Sequence, residues 1–313
     1  MKVVVLGATG MLGSMVADWL SRDRELHVTA TLRSPAERQF FENACPSAAW
    51  RLLDVDHASP ATLRELFAGA SWAINCIGVI KPYIHEEIPA EIERAVRVNS
   101  LFPYALARAA EDCGVNVLQI ATDCVYSGAK GGYLETDAHD ATEVYGKTKS
   151  LGEAASPHMH HLRASILGPE PLRHVSLLDW FLQRPRRAAI PGYANHLWNG
   201  ITTLHFARLC HGIIREDLSL RHLQHIVPAG AVTKAELLRN FAGIFRRPDL
   251  EIVPAAAAAA ADRTLATLDA PANARSWAAA GYPQPPSIPE MLAELAEFDY
   301  RCAPQLICLR AGA

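Results

Sequence analysis

The tightest constraint on this chain is a short stretch near its start. An apolar run, Val3–Leu6, passes directly into Gly7-Ala-Thr-Gly10-Met-Leu-Gly13, and Met11–Leu20 continues with helical spacing. A buried strand that turns on glycines into a helix points the first free helix N–H groups at whatever sits above the turn, which suits an anion. Gly7 permits the tight turn, Gly10 lets the backbone approach a pyrophosphate, and Gly13 lets helix and sheet pack closely. The spacing is G-x-x-G-x-x-G rather than G-x-G-x-x-G. Alone it is a modest signal; its weight comes from opening a strand–helix–strand unit.

That unit repeats. Leu26–Leu32 reads as a strand, Pro35–Phe41 as a helix, Trp50–Asp54 as a strand, Pro60–Phe67 as a helix and Trp72–Ile77 as a strand. Ile88–Cys113 is a long helical stretch in which Pro103 predicts a kink, and Val115–Ala121 is another apolar strand. Alternating strands and helices imply right-handed crossovers and an α/β, doubly wound parallel (Rossmann) sheet. Strands apolar on both faces agree with helices covering both. Beyond Leu167-Gly168-Pro169-Glu170-Pro171 the alternation weakens, with helices expected at Ser176–Leu182, Thr202–Arg215, Lys234–Phe245 and Ile288–Phe298 and short strands at Leu223–Val227 and Leu250–Val253. This predicts a dinucleotide-binding domain over 1–167 and a smaller, mixed substrate-binding part over 168–313, some of which can return to the sheet. Ala255–Ala261 reads as a helix or surface connector.

Composition excludes several alternatives. The 313 residues carry 30 Lys and Arg against 33 Asp and Glu, a net charge of −3, so nothing draws the chain as a whole to nucleic acid or anionic membrane. No apolar run approaches the roughly 18 residues of a membrane span. The N-terminal apolar run breaks at Gly7, short of the roughly 7–15 residues of a signal-peptide core. Seven cysteines (45, 76, 113, 124, 210, 302, 308) with no C-x-x-C spacing predict reduced thiols, a cytoplasmic setting and no zinc site.

The second strand ends on Arg33, where an acid would hold a ribose 2′-hydroxyl, and Arg38 follows. A cation there suits a 2′-phosphate, hence NADP(H) ahead of NAD(H). Gly7, Thr9, Gly10, Met11, Leu12, Gly13 and Arg33 are therefore the expected cofactor contacts. Asp54 and Val55, after the third strand, and Cys76, Ile77 and Gly78, after the fourth, join them.

Tyr145 and Lys149 stand four apart at the start of a helix expected to run to about Ala155, so they share a face. A phenol with an ordinary pKa near ~10 is a poor proton carrier at neutral pH, and a nearby ammonium favours its phenolate. Thr122 ends the strand Val115–Ala121 on the side where doubly wound sheets bind ligands, so its hydroxyl can share a carbonyl oxygen with Tyr145.

The stretch Ala121-Thr122-Asp123-Cys124-Val125-Tyr126 through Tyr145-Gly-Lys-Thr-Lys149-Ser-Leu-Gly-Glu153 resembles the dTDP-4-dehydrorhamnose reductase family of the extended short-chain dehydrogenases/reductases. Tyr133, Glu135 and Asp137 fill the positions between, and Val98-Asn99 and Leu162–Glu170 are family-like. The similarity covers roughly the first 170 residues well. It implies a catalytic Thr122, Tyr145 and Lys149, with Asn99 as a fourth member. It also implies an NADPH-dependent reductase of a nucleotide-diphospho keto-sugar. Asn75–Pro82 departs from the family's alanine-rich loop. Cys124 stands where related 4,6-dehydratases carry an acidic glutamate, so a dehydratase is disfavoured. A nucleotide-sugar epimerase holding NAD tightly, and a non-catalytic cofactor-bound regulatory subunit, are the alternatives.

Other features are weighed more lightly. His158-Met-His160-His161 reads as a solvated loop rather than a metal site. Arg184 and Arg187 suit the substrate diphosphate or a solvated charge cluster, and Trp198 a sugar pocket or a core anchor. Cys124 is expected beside the substrate as a small hydrophobe. A homodimer is the expected assembly.

Overall fold

The computed structural model describes residues 1–302, so Cys308 lies outside the described residues. The first half runs β1 (Lys2–Leu6), α1 (Met11–Leu20), β2 (His27–Leu32), α2 (Arg38–Ala44), β3 (Ala49–Leu52), α3 (Pro60–Phe67) and β4 (Trp72–Asn75). It continues with α4 (Pro89–Ala95), α5 (Phe102–Cys113), β5 (Asn116–Ala121), α6 (Val144–Leu151) and β6 (Met159–Arg163). Seven parallel strands form one sheet in the order Leu223–His225, β6, β5, β4, β1, β2, β3. The chain winds outward from β1 to β3, returns to β4 on the other side of β1, and winds outward again. That reversal leaves a crevice at the carboxyl ends of β1 and β4.

Period-two alternation explains the layering. Val3 and Val5 belong to one buried cluster and Val4 and Leu6 to another, because successive side chains leave opposite faces of the strand. On one face α1 packs against the helix Thr203–Arg215; on the other α3 packs against α5. The strand Leu223–His225 comes from beyond residue 168 and still pairs with β6 in the main sheet.

Three local expectations change. Pro35–Phe41 is a 3₁₀ turn over Pro35–Glu37, begun by the Ser34 hydroxyl accepting from the Ala36 N–H, before α2 starts at Arg38. The stretch carrying Pro103 contains a π turn, Val96–Leu101, in which the Phe102 N–H reaches back to the Arg97 carbonyl. Proline lacks an N–H for the carbonyl four residues earlier, that of Asn99, and the wider turn accommodates this without breaking the helical course. The histidine run is not a solvated loop. Met159–Arg163 is β6, His161 is fully buried, and its Nε2 sits 3.2 Å from the Ala154 carbonyl. Among the described residues no group of side chains could hold a metal ion. Ala255–Ala261 is a surface connector, the end of one short strand leading to the next.

The last described residues clasp α1. The Tyr300 hydroxyl lies 2.5 Å from Ser14 Oγ, and the Arg301 N–H donates to the buried carboxylate of Asp18 at 3.0 Å. Burial pushes the Asp18 carboxyl up; the Arg301 N–H and Arg22 pull the other way. The six described cysteines are free thiols, with Cys45 and Cys302 Sγ 3.8 Å apart. No helix among the described residues is long and apolar enough to cross a membrane.

Candidate active site

A cleft of about 660 Å³ opens along the carboxyl ends of the strands. Its first wall is the glycine turn. Gly7 has φ +74°, and a Cβ there would meet Ile77 Cγ1 at 2.7 Å; a Cβ on Gly13 would lie 2.2 Å from the Gly7 carbonyl oxygen. So Gly13 does not line the cleft; it lets α1 press onto the turn. Gly10 caps α1 with no side-chain hydrogen bond, leaving the first amides of the helix free of side-chain acceptors. A Cβ on Gly10 would meet only the Gly7 carbonyl, at 3.6 Å, so the space above is open. A pyrophosphate fits that cradle.

Thr9, Met11, Leu12, Arg33, Asp54, Val55, Cys76, Ile77 and Gly78 line the same cleft. Glu37 lines it as well, so Arg33 shares its end with an acid. The Asp54 carboxylate is engaged, with Oδ2 2.9 Å from His57 Nδ1 and Oδ1 accepting the Asp56 N–H. The bond to His57 holds that carboxyl below its usual range, and Arg33 adds to the effect.

At the centre stand Thr122, Cys124, Tyr145 and Lys149. Thr122 Oγ1 accepts the Cys124 N–H at 3.1 Å, and Thr122 and Tyr145 line the cleft together. Burial pushes the phenol up, the nearby Cys124 adds to it, and Thr122 opposes it. The expected help from Lys149 does not appear at the phenol. Its ammonium donates to the Ile120 carbonyl at 3.1 Å, and burial lowers Lys149 to about 8. The pair shares a helical face, but a buried carbonyl holds the lysine one step away. Tyr145 is thus a protonated group at neutral pH, which suits donation. Cys124 is pushed up to about 12, first by burial and then by the Asp123 charge, and is no substitute for a carboxylic acid. Asp123 itself is raised by burial.

Asn99 does not line the cleft. Its Oδ1 accepts the Val79 N–H at 2.8 Å, and its Nδ2 donates to the Val79 carbonyl at 2.9 Å and to Thr148 Oγ1 at 3.2 Å. It ties the loop after β4 to α6, the helix that carries Tyr145 and Lys149. The Gly152 backbone fits against the Asn99 carbonyl, where a Cβ would find no room.

Behind α6 lies a buried cation. Arg163 donates to Tyr126 at 2.7 Å, His225 at 2.9 Å and His139 at 2.9 Å, and pairs with Glu153. His225 Nδ1 lies 2.7 Å from the Ala266 carbonyl, so its ring is neutral with Nε2 accepting. Sequence reasoning had placed Glu153 in a motif but not in this network.

Three expected substrate contacts are elsewhere. The Arg184 guanidinium stacks 4.7 Å over its own helix's Trp180, with Nε donating to the Trp180 carbonyl. Arg187 is exposed, and its backbone N–H donates to Asp249. Neither lines the cleft. Trp198 is behind the wall, its indole N–H donating at 2.8 Å to Ser165 Oγ, and Ser165 lines the cleft. Lys81, Tyr83, Glu170 and Arg173, which sequence reasoning missed, do line it. The signal for them was the pair of proline-bearing loops that follow strands on the ligand side.

The RmlD substrate binding domain family matches residues 1–167. The chain belongs to that family. The enzyme class that goes with the family and its structural neighbours is the NAD(P)-dependent oxidoreductase. Among individual relatives, methionine adenosyltransferase 2 subunit beta of Danio rerio is 27% identical over 265 residues, 81% of this chain and 76% of that protein. The dTDP-4-dehydrorhamnose reductase of Mycobacterium tuberculosis is 29% identical over 161 residues, 49% of this chain and 45% of that protein. The RmlD-family fold extends along the chain. A dTDP-4-dehydrorhamnose reductase of Bacillus anthracis, solved in complex with NADP, superposes with a TM-score of 0.71 at 17% identity, over 94% of this chain and 98% of that one.

Proposed function

We propose that this protein reduces a nucleotide-diphospho keto-sugar, most simply at C4, with NADPH as the donor. The observation that carries the reading is convergence. The strand-end Thr122, the phenol of Tyr145 and the ammonium of Lys149 line the same cleft as an uncapped, glycine-built anion cradle. In this reading residues 1–167 hold the cofactor and 168–313 close the substrate side, in a cytoplasmic homodimer.

Reduced nicotinamide cofactor, held at the glycine turn, would supply the hydride that the carbonyl carbon needs. Thr122 holds the carbonyl oxygen against the phenol. Tyr145 hands that oxygen its proton, and its burial keeps the proton in place until charge develops. Lys149, protonated near neutral pH, donates to the Ile120 carbonyl of β5 and would be the cation offered to ribose hydroxyls. The positive Arg33 end favours a 2′-phosphate.

The test is consumption of NADPH with a panel of nucleotide-linked 4-keto sugars, dTDP-4-dehydro-6-deoxyglucose first. An alcohol product with matching NADP⁺ supports the reading; no turnover with any of them sinks it. A cofactor-bound regulatory subunit is the second reading, favoured by the match to methionine adenosyltransferase 2 subunit beta over 81% of this chain. It predicts cofactor binding without turnover in the same assay.

A further inference from the structure

The displacement of Arg184 and Arg187 from the cleft leaves the substrate's diphosphate without a cation from that helix. Two loops supply the cleft wall beyond the catalytic groups: residues 78–88 after β4, and residues 168–176 after the short strand Ile166–Leu167. They bring two cations. Lys81 is paired with Glu143. Arg173 has no carboxylate partner among the described residues; its guanidinium lies 5.3 Å over the ring of Tyr83, from the opposite loop. The Tyr83 hydroxyl is buried yet has no hydrogen-bond partner among the described residues.

The loop that carries Arg173 is held firmly. The Asp179 carboxylate accepts the Glu170 N–H at 2.8 Å and the Ser176 hydroxyl at 2.6 Å, and the Glu170 carboxylate accepts the Val175 N–H at 2.6 Å. His174, next to Arg173, sits at φ +55°, a conformation that costs a non-glycine residue energy and persists because these bonds impose it. The lining carboxylate of Glu170 is thereby occupied by its own loop. What faces the cleft is a stacked, unpaired guanidinium beside an unsatisfied phenol. A buried donor without an acceptor is unfavourable, and a ligand oxygen would satisfy it. A planar guanidinium suits a phosphate by its paired N–H groups.

We propose that Arg173 takes the diphosphate of the nucleotide-sugar substrate, with the Tyr83 hydroxyl donating to an oxygen of the same ligand. This rests on the keto-sugar reading above and adds the residues that select diphospho-sugars. The glycine cradle serves the cofactor's anion; the stacked pair serves the substrate's.

The test is calorimetric titration of the NADPH-loaded protein with UDP-glucose and dTDP-glucose, which the catalytic groups cannot reduce. R173A should weaken the tighter of the two by roughly 10- to 100-fold, the range of a charge-assisted hydrogen bond. NADPH affinity should stay at the wild-type value. R173K, which keeps charge without the fork, should fall between, and Y83F, which keeps the stacked ring, should lose about 3- to 10-fold. Inorganic pyrophosphate should compete with the sugar nucleotide in the wild type and lose that power in R173A. Wild-type affinity in a folded R173A overturns this assignment while leaving the reductase reading standing. Equal loss of NADPH and sugar-nucleotide affinity overturns it too, because Arg173 would then support the cleft as a whole. Failure of the wild type to bind either sugar nucleotide overturns both the assignment and the reading on which it rests.

Discussion

The two ends of the cleft are made of different material. The glycine end is backbone: a turn at φ +74°, helix amides without a side-chain cap, and a helix pressed so close that no Cβ fits at Gly13. The far end is side chain: a guanidinium on a phenol ring, brought together from two loops about ninety residues apart in sequence. Backbone recognition depends on spacing and small residues, so it leaves a pattern along the chain. Side-chain recognition across loops depends on which loop folds over which, and leaves none.

Removal of the reactive proton should have the largest effect and lies between the two ends. Tyr145→Phe keeps the ring and should cut turnover by roughly 10²–10⁴, while fluorescence titration finds NADPH bound as tightly as before. Wild-type turnover would place the acid in another residue, with Asp123 next in line.

Gly13→Ala asks whether the glycine end is as rigid as its contacts. Its Cβ would press on backbone atoms of Gly7 and Ala8, which cannot rotate away. A loss of about 1–3 kcal/mol in urea-unfolding stability is expected, with weakened cofactor binding. A variant as stable as wild type would mean that the turn yields.

Arg33→Ala probes a charged side chain beside the glycine end. Arg33 is exposed and shares its end with Glu37, so the loss should be modest, about tenfold in NADPH affinity with NADH unchanged. Equal affinities for the two cofactors in the wild type would remove the basis for the preference.

The smallest effect should come from acid. Burial lowers His161 to about 4 and lowers His139 and His225 as well. Unfolded, each would titrate near ~6.5, so between that pH and about 4 the unfolded chain binds more protons. Stability is therefore full above pH 6.5 and declines as pH falls through that window. The urea midpoint should drop between pH 7 and 5, and less so in His161→Phe. A midpoint that does not move would show that other groups compensate.

The same contrast explains what could be read in advance. β1, the glycine turn and α1 follow from an apolar run and a spacing of three. Tyr145 and Lys149 follow from a spacing of four, and Thr122 from its place at a strand end. The orientation of Lys149 does not follow, because the carbonyl it meets belongs to β5, a neighbour only in three dimensions. The histidine run looked solvated because imidazoles are polar; in the fold it is an inner strand between β5 and Leu223–His225. Arg184 and Arg187 were plausible by charge alone, and Arg173 was just as visible. Only the course of the loop after Gly168 distinguishes them.

The clasp of Tyr300 and Arg301 on α1 sets an order of events at the ribosome. Tyr300 is synthesised 286 residues after Ser14. The helix that follows the glycine turn is thus completed by residues that emerge long after it. A nascent chain stalled before Asp299 already has every residue that lines the cleft, yet it holds Asp18 without its late partner. Translation must pass Arg301 before that helix is sealed.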